Sequence, residues 1–520
     1  MTARDRLVVS FDGFELSTAE ADAIASRAAG VTLYRHLNIR SAGQVRALTD
    51  SLQAAAVRLG LPALLIGADH ETGQLHAMGE DATAFAGAMA LGATGDEALA
   101  ERVGRAIGSE LRAMGVNLVY APDCDLATNP RNPVVGIRSF GDEPAAVGRL
   151  AAATVRGLQS VGVAATVKHL PGHGEPSGDS HLGLPVIEQA AEELRARELV
   201  PFGAAIAAGA RVAMAGHLAV PALTGRRDLP ATLARAVLTN LLRGELGFDG
   251  LAVSDALDMG AVTDAGAGTI NLASAALRAG IDLLLCGPDP AAQARVEAGL
   301  AAAFAGSELD SAESAASAAR LAGLGVWLDG FQQPPIEVVG SPEHHALAAE
   351  LAARSITLIR DRDGLVPVRL ASAARVLVIE PRPRDVTPAD TTSSLAPCGV
   401  ADAIRTRHAD VESVVVEAAV ADDEVAALRE RAAAADLVIL GTVDALGQST
   451  VADLARVLVA TGRPVVAVAF RGPWDADAYP EVGTVLATYG IQAPSLAALV
   501  TALWGHAQLT GRLPVRLARA

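Results

Sequence analysis

VAATVKH, residues 163–169, is a short apolar run that ends in a lysine and a histidine. Seven similar runs occur before residue 290, and stretches with helical periodicity separate them. They are LVVSFDG (7–13), GVTLYR (30–35), PALLIGAD (62–69), VNLVYAPD (116–123), RVAMAGH (211–217), LAVSDA (251–256) and IDLLLCG (281–287). Alternating strands and helices predict a parallel sheet, and eight such units in about 300 residues predict a closed (β/α)₈ TIM-like barrel. We assign it to residues 1–330.

The pattern changes after the barrel. The segment GFQQPPIEVVGSPEHH (330–345) is rich in Pro and Gly and predicts a linker, placed at 331–342. The helical stretch HALAAELAARS follows, and then come five strand candidates: ARVLVIEP (374–381), VESVVVEA (411–418), DLVILGTV (436–443), PVVAVAF (464–470) and GTVLATYG (483–490). They predict a smaller α/β/α sandwich over residues 343–520. Two glycine motifs bind nucleotide phosphates, GxGxxG after a strand and GxxxxGK[ST]. Neither is present, so no nucleotide cofactor is expected.

Composition restricts the partners. A formal charge of −17 argues against nucleic acid, since no basic surface is available to neutralise phosphates. No apolar run approaches the ~20 residues that span a bilayer, and no secretory signal is evident, so no membrane partner is expected. Three widely spaced cysteines, Cys124, Cys286 and Cys398, do not form a disulfide framework pattern and favour a cytoplasmic protein.

The fifth run leads into AATVKHLPGHGEPSGDSHLGLPV (164–186), which contains Lys168, the only lysine of the chain. Its glycines and prolines predict a long irregular loop over the barrel mouth. Asp179 and His181 form a pair suited to general acid/base chemistry, because the carboxylate can orient and stabilise the imidazolium. The alternative is that these histidines bind zinc, but their spacing matches no standard zinc motif and Lys168 would repel a cation. No metal is therefore expected.

Polar residues follow most of the predicted strands: Asp12, Arg35, Asp69, Asp123, Lys168, His169, His217 and Asp255. In (β/α)₈ barrels this rim carries the catalytic groups, although a single Asp there can also be a helix cap. Asp255, in GFDGLAVSDALDMGAV (247–262), is a candidate nucleophile, and Asp258 is expected to face elsewhere. Arg138, in NPRNPVVGIRSFGDEP (129–144), is expected to donate to sugar hydroxyls, with a surface salt bridge as the alternative.

Together these segments resemble the family 3 glycoside hydrolases, in particular their β-N-acetylhexosaminidase branch. The resemblance rests on KHLPGHGEPSGDSHLGLPV, GADHETG, NPVVGIRSFG and VSDALDM, and on GLVPV and TGRLPVRL in the C-terminal part. It implies a retaining, exo-acting β-N-acetylglucosaminidase without a cofactor, acting on peptidoglycan fragments, chitooligosaccharides or glycans. Asp255 would be the nucleophile and His181 the acid/base with Asp179 as its partner. The implied sugar contacts are Asp69, Arg138, Lys168 and His169.

The sequence departs from the family pattern at three places. ETG (71–73) stands where Glu-Gly-Gly is usual, QLHA (74–77) replaces the usual Arg-x-x-Arg, and GHGEP replaces GHGDT. These changes bear on leaving-group preference more than on the reaction. Three alternatives stay open at this point: a phosphorylase that uses inorganic phosphate as acceptor, a β-glucosidase, and a sugar-binding protein without activity.

Overall fold

Eight short parallel strands form a nearly closed barrel in this computed structural model, which describes residues 2–263, 269–306, 309–387, 390, 393–395 and 399–518. The strands are β1 Leu7–Val9, β2 Gly30–Leu33, β3 Leu65–Ala68, β4 Leu118–Val119, β5 Ala164–Leu170, β6 Val212–Ala215, β7 Leu251–Ser254 and β8 Leu284–Leu285. β1 to β6 each pair with the next strand in chain order, and β8 pairs with β1. A single bridge, Val253 to Leu283, connects β7 to the start of β8. The predicted barrel is confirmed.

The strands are short because each carries only a few apolar residues, which are buried on both faces as in other parallel sheets. Residues of seven strands and Ala29, just before β2, meet in one buried cluster inside the barrel, which also includes Leu324 and Leu328. The helices of this part are Thr18–Arg27, Arg35–Asn38, Ala42–Arg58, Ala88–Thr94, Glu97–Ala113, Pro144–Gln159, Ala191–Ala196, Leu199–Ala207, Pro221–Thr224, the π-type helix Ala236–Glu245, Gly260–Thr263, Thr269–Ala279, Pro290–Ala305 and Ser311–Asp329.

A separate six-stranded sheet follows. Its strands are β9 Thr357–Asp361, β10 Val376–Pro381, β11 Val411–Val416, β12 Leu437–Thr442, β13 Val465–Ala469 and β14 Thr484–Ala487, in the order β9-β14-β13-β12-β10-β11. Its helices are Pro342–Ser355, Val400–Arg405, Asp422–Ala434, Ser449–Val459, Asp475–Ala478 and Ala493–Leu503. Two buried apolar clusters each combine alternate residues of these strands with residues of the surrounding helices and loops. The exact domain boundaries at 330 and 342 stay predictions.

The five strand candidates of this sheet are confirmed, and sequence patterning missed a sixth, β9. This edge strand pairs antiparallel with β14 and is half-buried along most of its length, so its sequence TLIRD lacks a continuous apolar run. Among the described residues, no helix is both long and apolar enough to cross a membrane. Cys124 and Cys286 are buried free thiols, and Cys398 lies outside the described residues.

The carboxyl edge of the second sheet faces a loop of the barrel. This loop, residues 69–87, follows β3 and includes a small hairpin of His70–Thr72 and Leu75–His76. Arg471, just after β13, donates to Gln74 Oε1, and Gln492, after β14, donates through Nε2 to Gly73 O at 2.8 Å. On the outside, an exposed ion pair joins Arg102 to Glu350 at 2.8 Å.

Candidate active site

A cavity of about 410 Å³ opens at the carboxyl ends of the barrel strands. Six of the predicted site residues line it: Asp69, Arg138, Lys168, His169, His181 and Asp255. The seventh, Asp179, binds His181 just behind the wall. Among the other strand-end residues Arg35 also lines the cavity, whereas Asp12 is exposed and lies outside it. The sequence therefore predicted the rim that carries this cavity.

The cations of the site meet at Glu71. Lys168 Nζ lies 2.7 Å from Glu71 Oε1 and 2.8 Å from Asp69 Oδ1, and its side chain is only 2% exposed. Arg138 donates to both oxygens of Glu71, from Nε at 2.9 Å and from Nη2 at 2.8 Å. Burial alone would raise the pKa of Glu71, but the two cations outweigh it and lower the pKa to about 2. The carboxylate is thus ionised and clamps both cations.

The fork of Arg138 is already engaged by protein acceptors, because Glu71 accepts from two of its nitrogens and Val134 O from the third, at 3.1 Å. Arg138 also lines the cavity, and its expected donation to sugar hydroxyls stays a prediction. The alternative was a surface salt bridge, and the ion pair that Arg138 forms with Glu71 is buried instead. Asp69 is no helix cap either, because a hairpin follows it and its carboxylate pairs with Lys168.

His169 is held by Asp125. Its Nδ1 lies 2.7 Å from Asp125 Oδ2, and the other Asp125 oxygen accepts from the backbone N–H groups of His169 and His173, at 3.2 Å and 2.7 Å. Burial and the neighbouring Arg138 lower the pKa of His169 to about 4, so the ring is neutral at pH 7 and donates from Nδ1. Burial raises the pKa of Asp125 to about 6.

The loop after β5 is fixed by contacts that only its sequence permits. Gly174 packs against the loop that follows β4, so closely that a Cβ on this residue would lie 1.7 Å from Leu126 O. Asn132 Nδ2 donates to His173 O at 2.6 Å and to Pro176 O at 2.8 Å. Farther along, His173 Nε2 lies 3.0 Å from Ser180 Oγ. These contacts give the long irregular segment one defined path over the barrel mouth.

The loop brings the predicted acid/base pair to the cavity. His181 Nδ1 lies 2.6 Å from Asp179 Oδ1, which also accepts from the His181 backbone N–H at 2.8 Å. Gly260 N donates to His181 O at 3.2 Å, and a Cβ on Gly260 would approach that oxygen to 2.8 Å. The turn after β7 therefore holds the histidine through a glycine. Burial opposes ionisation of Asp179, but its hydrogen bonds with His181 lower the carboxyl pKa overall.

Asp255 directly follows β7 and presents a buried carboxylate. Its Oδ1 accepts from the Ala256 N–H at 2.8 Å. Burial would raise the pKa of Asp255, but the imidazoles of His169, His217 and His181 together lower it. His217 supports the turn that follows, because its Nε2 donates to Ala256 O at 3.0 Å while Nδ1 accepts from Thr232 Oγ1. An ionised carboxylate therefore faces the cavity.

Asp258 also lines the cavity, and the expectation that it faces elsewhere is wrong. That expectation assumed a helix from Asp255 onward, but the helix begins at Gly260 and residues 255–259 form a turn. Asp258 Oδ1 accepts from Gly287 N at 3.2 Å, and burial raises its pKa. Asp258 is thus a second carboxyl in the wall.

The histidines of the zinc alternative each have a different hydrogen-bond partner in the structure. Asp125 holds His169, Ser180 contacts His173, and Asp179 holds His181. Within the described ranges, the atoms near enough to share an ion are those of Asp123, Asp125 and His169. The guanidinium of Arg138, 3.7 Å from Asp123 Oδ2, disfavours a cation at that place.

Sequence reasoning did not select Glu71 and Asp125, although both stand in segments that it quoted or adjoined. Glu71 belongs to GADHETG, and Asp125 follows the strand-end Asp123 by two residues. Neither contacts the cavity as directly as the residues that they hold. Their signal is a pair of acids, spaced by one residue, after each of two barrel strands.

The family model described as glycosyl hydrolase family 3 N terminal domain matches residues 7–324, which include all eight barrel strands. The chain is 30% identical to a beta-hexosaminidase A of Pseudoalteromonas piscicida over 92% of this chain and 87% of that one. It is 31% identical to a beta-N-acetylglucosaminidase/beta-glucosidase of Cellulomonas fimi, with the same two coverages.

A solved structure is similar over the whole length. It is a glycoside hydrolase family 3 beta-N-acetylglucosaminidase from Paenibacillus sp. str. FPU-7, with 33% identity and a TM-score of 0.92, covering 100% of this chain and 98% of that one. The barrel, the cavity at its carboxyl rim and these relatives agree. This chain belongs to glycosyl hydrolase family 3 and is an enzyme of its beta-hexosaminidase type.

Proposed function

We propose that the enzyme is a retaining, exo-acting β-N-acetylglucosaminidase that forms a covalent sugar–Asp255 intermediate. The observation that carries the proposal is the pairing of roles at one cavity. An ionised carboxylate, Asp255, and an imidazole already bonded to a carboxylate, His181 with Asp179, both serve that cavity. A nucleophile and a separate acid/base group are what glycoside cleavage with retention requires.

In the first step Asp255 attacks the anomeric carbon while the bond from that carbon to the leaving oxygen breaks. With Nδ1 bonded to Asp179, His181 has Nε2 available to give a proton to the leaving oxygen. Asp179 stabilises the positive charge that His181 carries before this transfer. The product of the step is a glycosyl ester of Asp255 and a neutral His181.

In the second step water replaces the leaving group. Neutral His181 accepts a proton from the water, whose oxygen attacks the anomeric carbon and releases Asp255 as a carboxylate. Two inversions at one carbon give retention of the β configuration. We propose water rather than phosphate as the acceptor, because the cations Lys168 and Arg138 are already paired with carboxylates.

The sugar contacts follow from what each group has left to offer. Asp69, whose side chain is 37% exposed, keeps an oxygen that can accept from sugar hydroxyls, while Lys168 fixes its position. Lys168 is a compact donor between two acids, and its third N–H is available to the sugar. Neutral His169 and the Glu71-bound Arg138 complete this wall of the pocket.

The test is Asp255→Asn, with Asp12→Asn as the matched control. Asp12 also follows a barrel strand but is exposed and outside the cavity. With an aryl β-N-acetylglucosaminide, the Asp255 variant should lose on the order of 10⁴-fold in kcat/KM, whereas the control should match the parent. Near-parental turnover by Asp255→Asn would overturn the assignment.

Two further measurements define the reaction. Proton NMR of the first product should show the β anomer of the free sugar, and an α anomer would exclude retention. Addition of inorganic phosphate should leave the rate and the product unchanged. Formation of the sugar 1-phosphate would instead make the enzyme a phosphorylase.

β-Glucosidase activity is a second candidate, favoured by the Cellulomonas fimi relative, whose name carries both activities. We propose it as the weaker activity of the same site. Rates on aryl β-glucoside and aryl β-N-acetylglucosaminide, measured side by side, test this order. A higher kcat/KM on the glucoside would reverse it.

A further inference from the structure

The loop that carries Glu71 is held from the second domain. Glu71 is followed by Thr72, Gly73 and Gln74, and the second sheet contacts the last two of these. Gln492 Nε2 donates to Gly73 O at 2.8 Å, and Arg471 donates to Gln74 Oε1. Both contacts come from the carboxyl edge of the second sheet, just beyond neighbouring strands β13 and β14.

The loop needs such support because of its backbone. Thr72 and Gly73 both have positive φ, +74° and +61°. A β-branched residue in the left-handed region is sterically strained and persists where the surroundings over-determine it. From the barrel side, Gly73 N donates to Phe85 O at 3.1 Å, and Thr72 Oγ1 donates to Ala86 O at 3.2 Å.

Arg471 is itself anchored. Its guanidinium is largely buried and forms an ion pair with the buried Asp390, at 3.2 Å between Nη1 and Oδ2. Tyr489, three residues before Gln492, is fully buried and belongs to an apolar cluster formed mainly by residues of the barrel and its helices. The donors that reach the loop therefore belong to a rigid part of the second domain rather than to long exposed side chains.

We propose that Arg471 and Gln492 are positioning residues for the sugar pocket. They fix Gly73 and Gln74, and so fix the Glu71 carboxylate on which Lys168 and Arg138 converge. The second domain thereby sets the position of Lys168, and through it of Asp69, without contributing a residue to the reaction. The inference rests on the proposed function, since it assigns Lys168 and Asp69 to the sugar.

The experiment compares full-length variants with an aryl β-N-acetylglucosaminide. Arg471→Met and Gln492→Ala should each raise KM on the order of tenfold, with kcat changed less than about threefold. The matched control is Arg102→Ala, which also removes a contact between the domains, but from an exposed ion pair that includes no residue of the loop. It should leave KM unchanged.

Three results separate positioning from mere attachment of the domains. Arg471→Lys keeps a donor and should restore most of the parental KM. Gln74→Ala should raise KM as Arg471→Met does. The variant that combines Gln74→Ala with Arg471→Met should raise KM little further, because both substitutions remove the same contact. Gln74→Ala and Gln492→Ala provide the test on their own if Arg471→Met fails to fold.

The opposing outcomes are distinct. A parental KM in Arg471→Met and Gln74→Ala, or an equal rise in Arg102→Ala, overturns the inference while the proposed function stands. Additive effects of Gln74→Ala and Arg471→Met overturn the direct link between the two residues. Absence of turnover by the parent enzyme contradicts the proposed function instead, and is recognised before any variant is compared.

Discussion

Glu71→Gln is the substitution that examines the pocket most directly. It keeps the size of the side chain but removes the charge on which Lys168 and Arg138 converge. Lys168 retains Asp69 as a carboxylate partner, whereas the carboxylate that remains for Arg138 among the described residues is Asp123, at 3.7 Å. A buried guanidinium is therefore left with one distant carboxylate, and the folded state should be destabilised.

The magnitude follows from the pKa of Glu71, which the two cations lower from 4.5 to about 2 in spite of burial. At about 1.4 kcal/mol for each pKa unit, this interval corresponds to about 3 kcal/mol of folding free energy. Because the folded pKa lies below its ordinary value, this stabilisation is fully present above about pH 4.5. It is lost as the pH falls toward 2.

Urea unfolding of the parent and of Glu71→Gln, followed by circular dichroism, measures this difference. At pH 7 the variant should be less stable by about 3 kcal/mol, and near pH 3 the gap should shrink to about half. KM for the aryl glycoside should also rise. Glu380→Gln, which alters another buried carboxylate, bonded to the N–H groups of Val400 and Ala401 in the second domain, should cost stability without changing KM. A gap at pH 7 below about 1 kcal/mol, or one that widens in acid, would refute the reasoning.

Three other substitutions extend these expectations. Asp179→Asn should lower kcat by about 10²-fold or more, and the loss should be larger with alkyl than with nitrophenyl leaving groups; equal losses would contradict acid catalysis. Gly174→Ala should lower kcat at least about tenfold by displacing the loop from Leu126 O, and parental kcat would exclude that clash. Asp282→Asn should cost about 3–5 kcal/mol on urea unfolding, since Arg243 and Arg320 share this buried carboxylate. It should leave kcat and KM unchanged, and a changed KM would contradict its remoteness.

The barrel could be predicted because each of its strands is a short apolar run with a polar end, a local pattern. The same pattern located Asp69, Lys168, His169 and Asp255 at the rim. β9 was not predicted because this antiparallel edge strand buries few of its side chains and carries no continuous apolar run. Asp258 was misplaced because a turn, rather than a helix, follows Asp255.

The pairing inside the site could not be predicted from one sequence. Glu71 meets Arg138 and Lys168 across 67 and 97 residues of chain, and nothing local indicates which acid meets which base. The contacts of Arg471 and Gln492 with the loop span about four hundred residues and depend on how two domains pack. Pairs that lie within one segment, such as Asp179 with His181, could be predicted from the sequence.

The single lysine has a practical consequence for chemical labelling. Apart from the amino terminus, Lys168 is the only primary amine of the chain, and it is buried between two carboxylates. Burial would lower its pKa, but Asp69 and Glu71 outweigh burial and raise it, so the amine stays protonated and unreactive. An amine-specific reagent should therefore modify the folded enzyme at its terminus alone. The fraction of molecules labelled at Lys168 would therefore measure how many of them have opened the pocket.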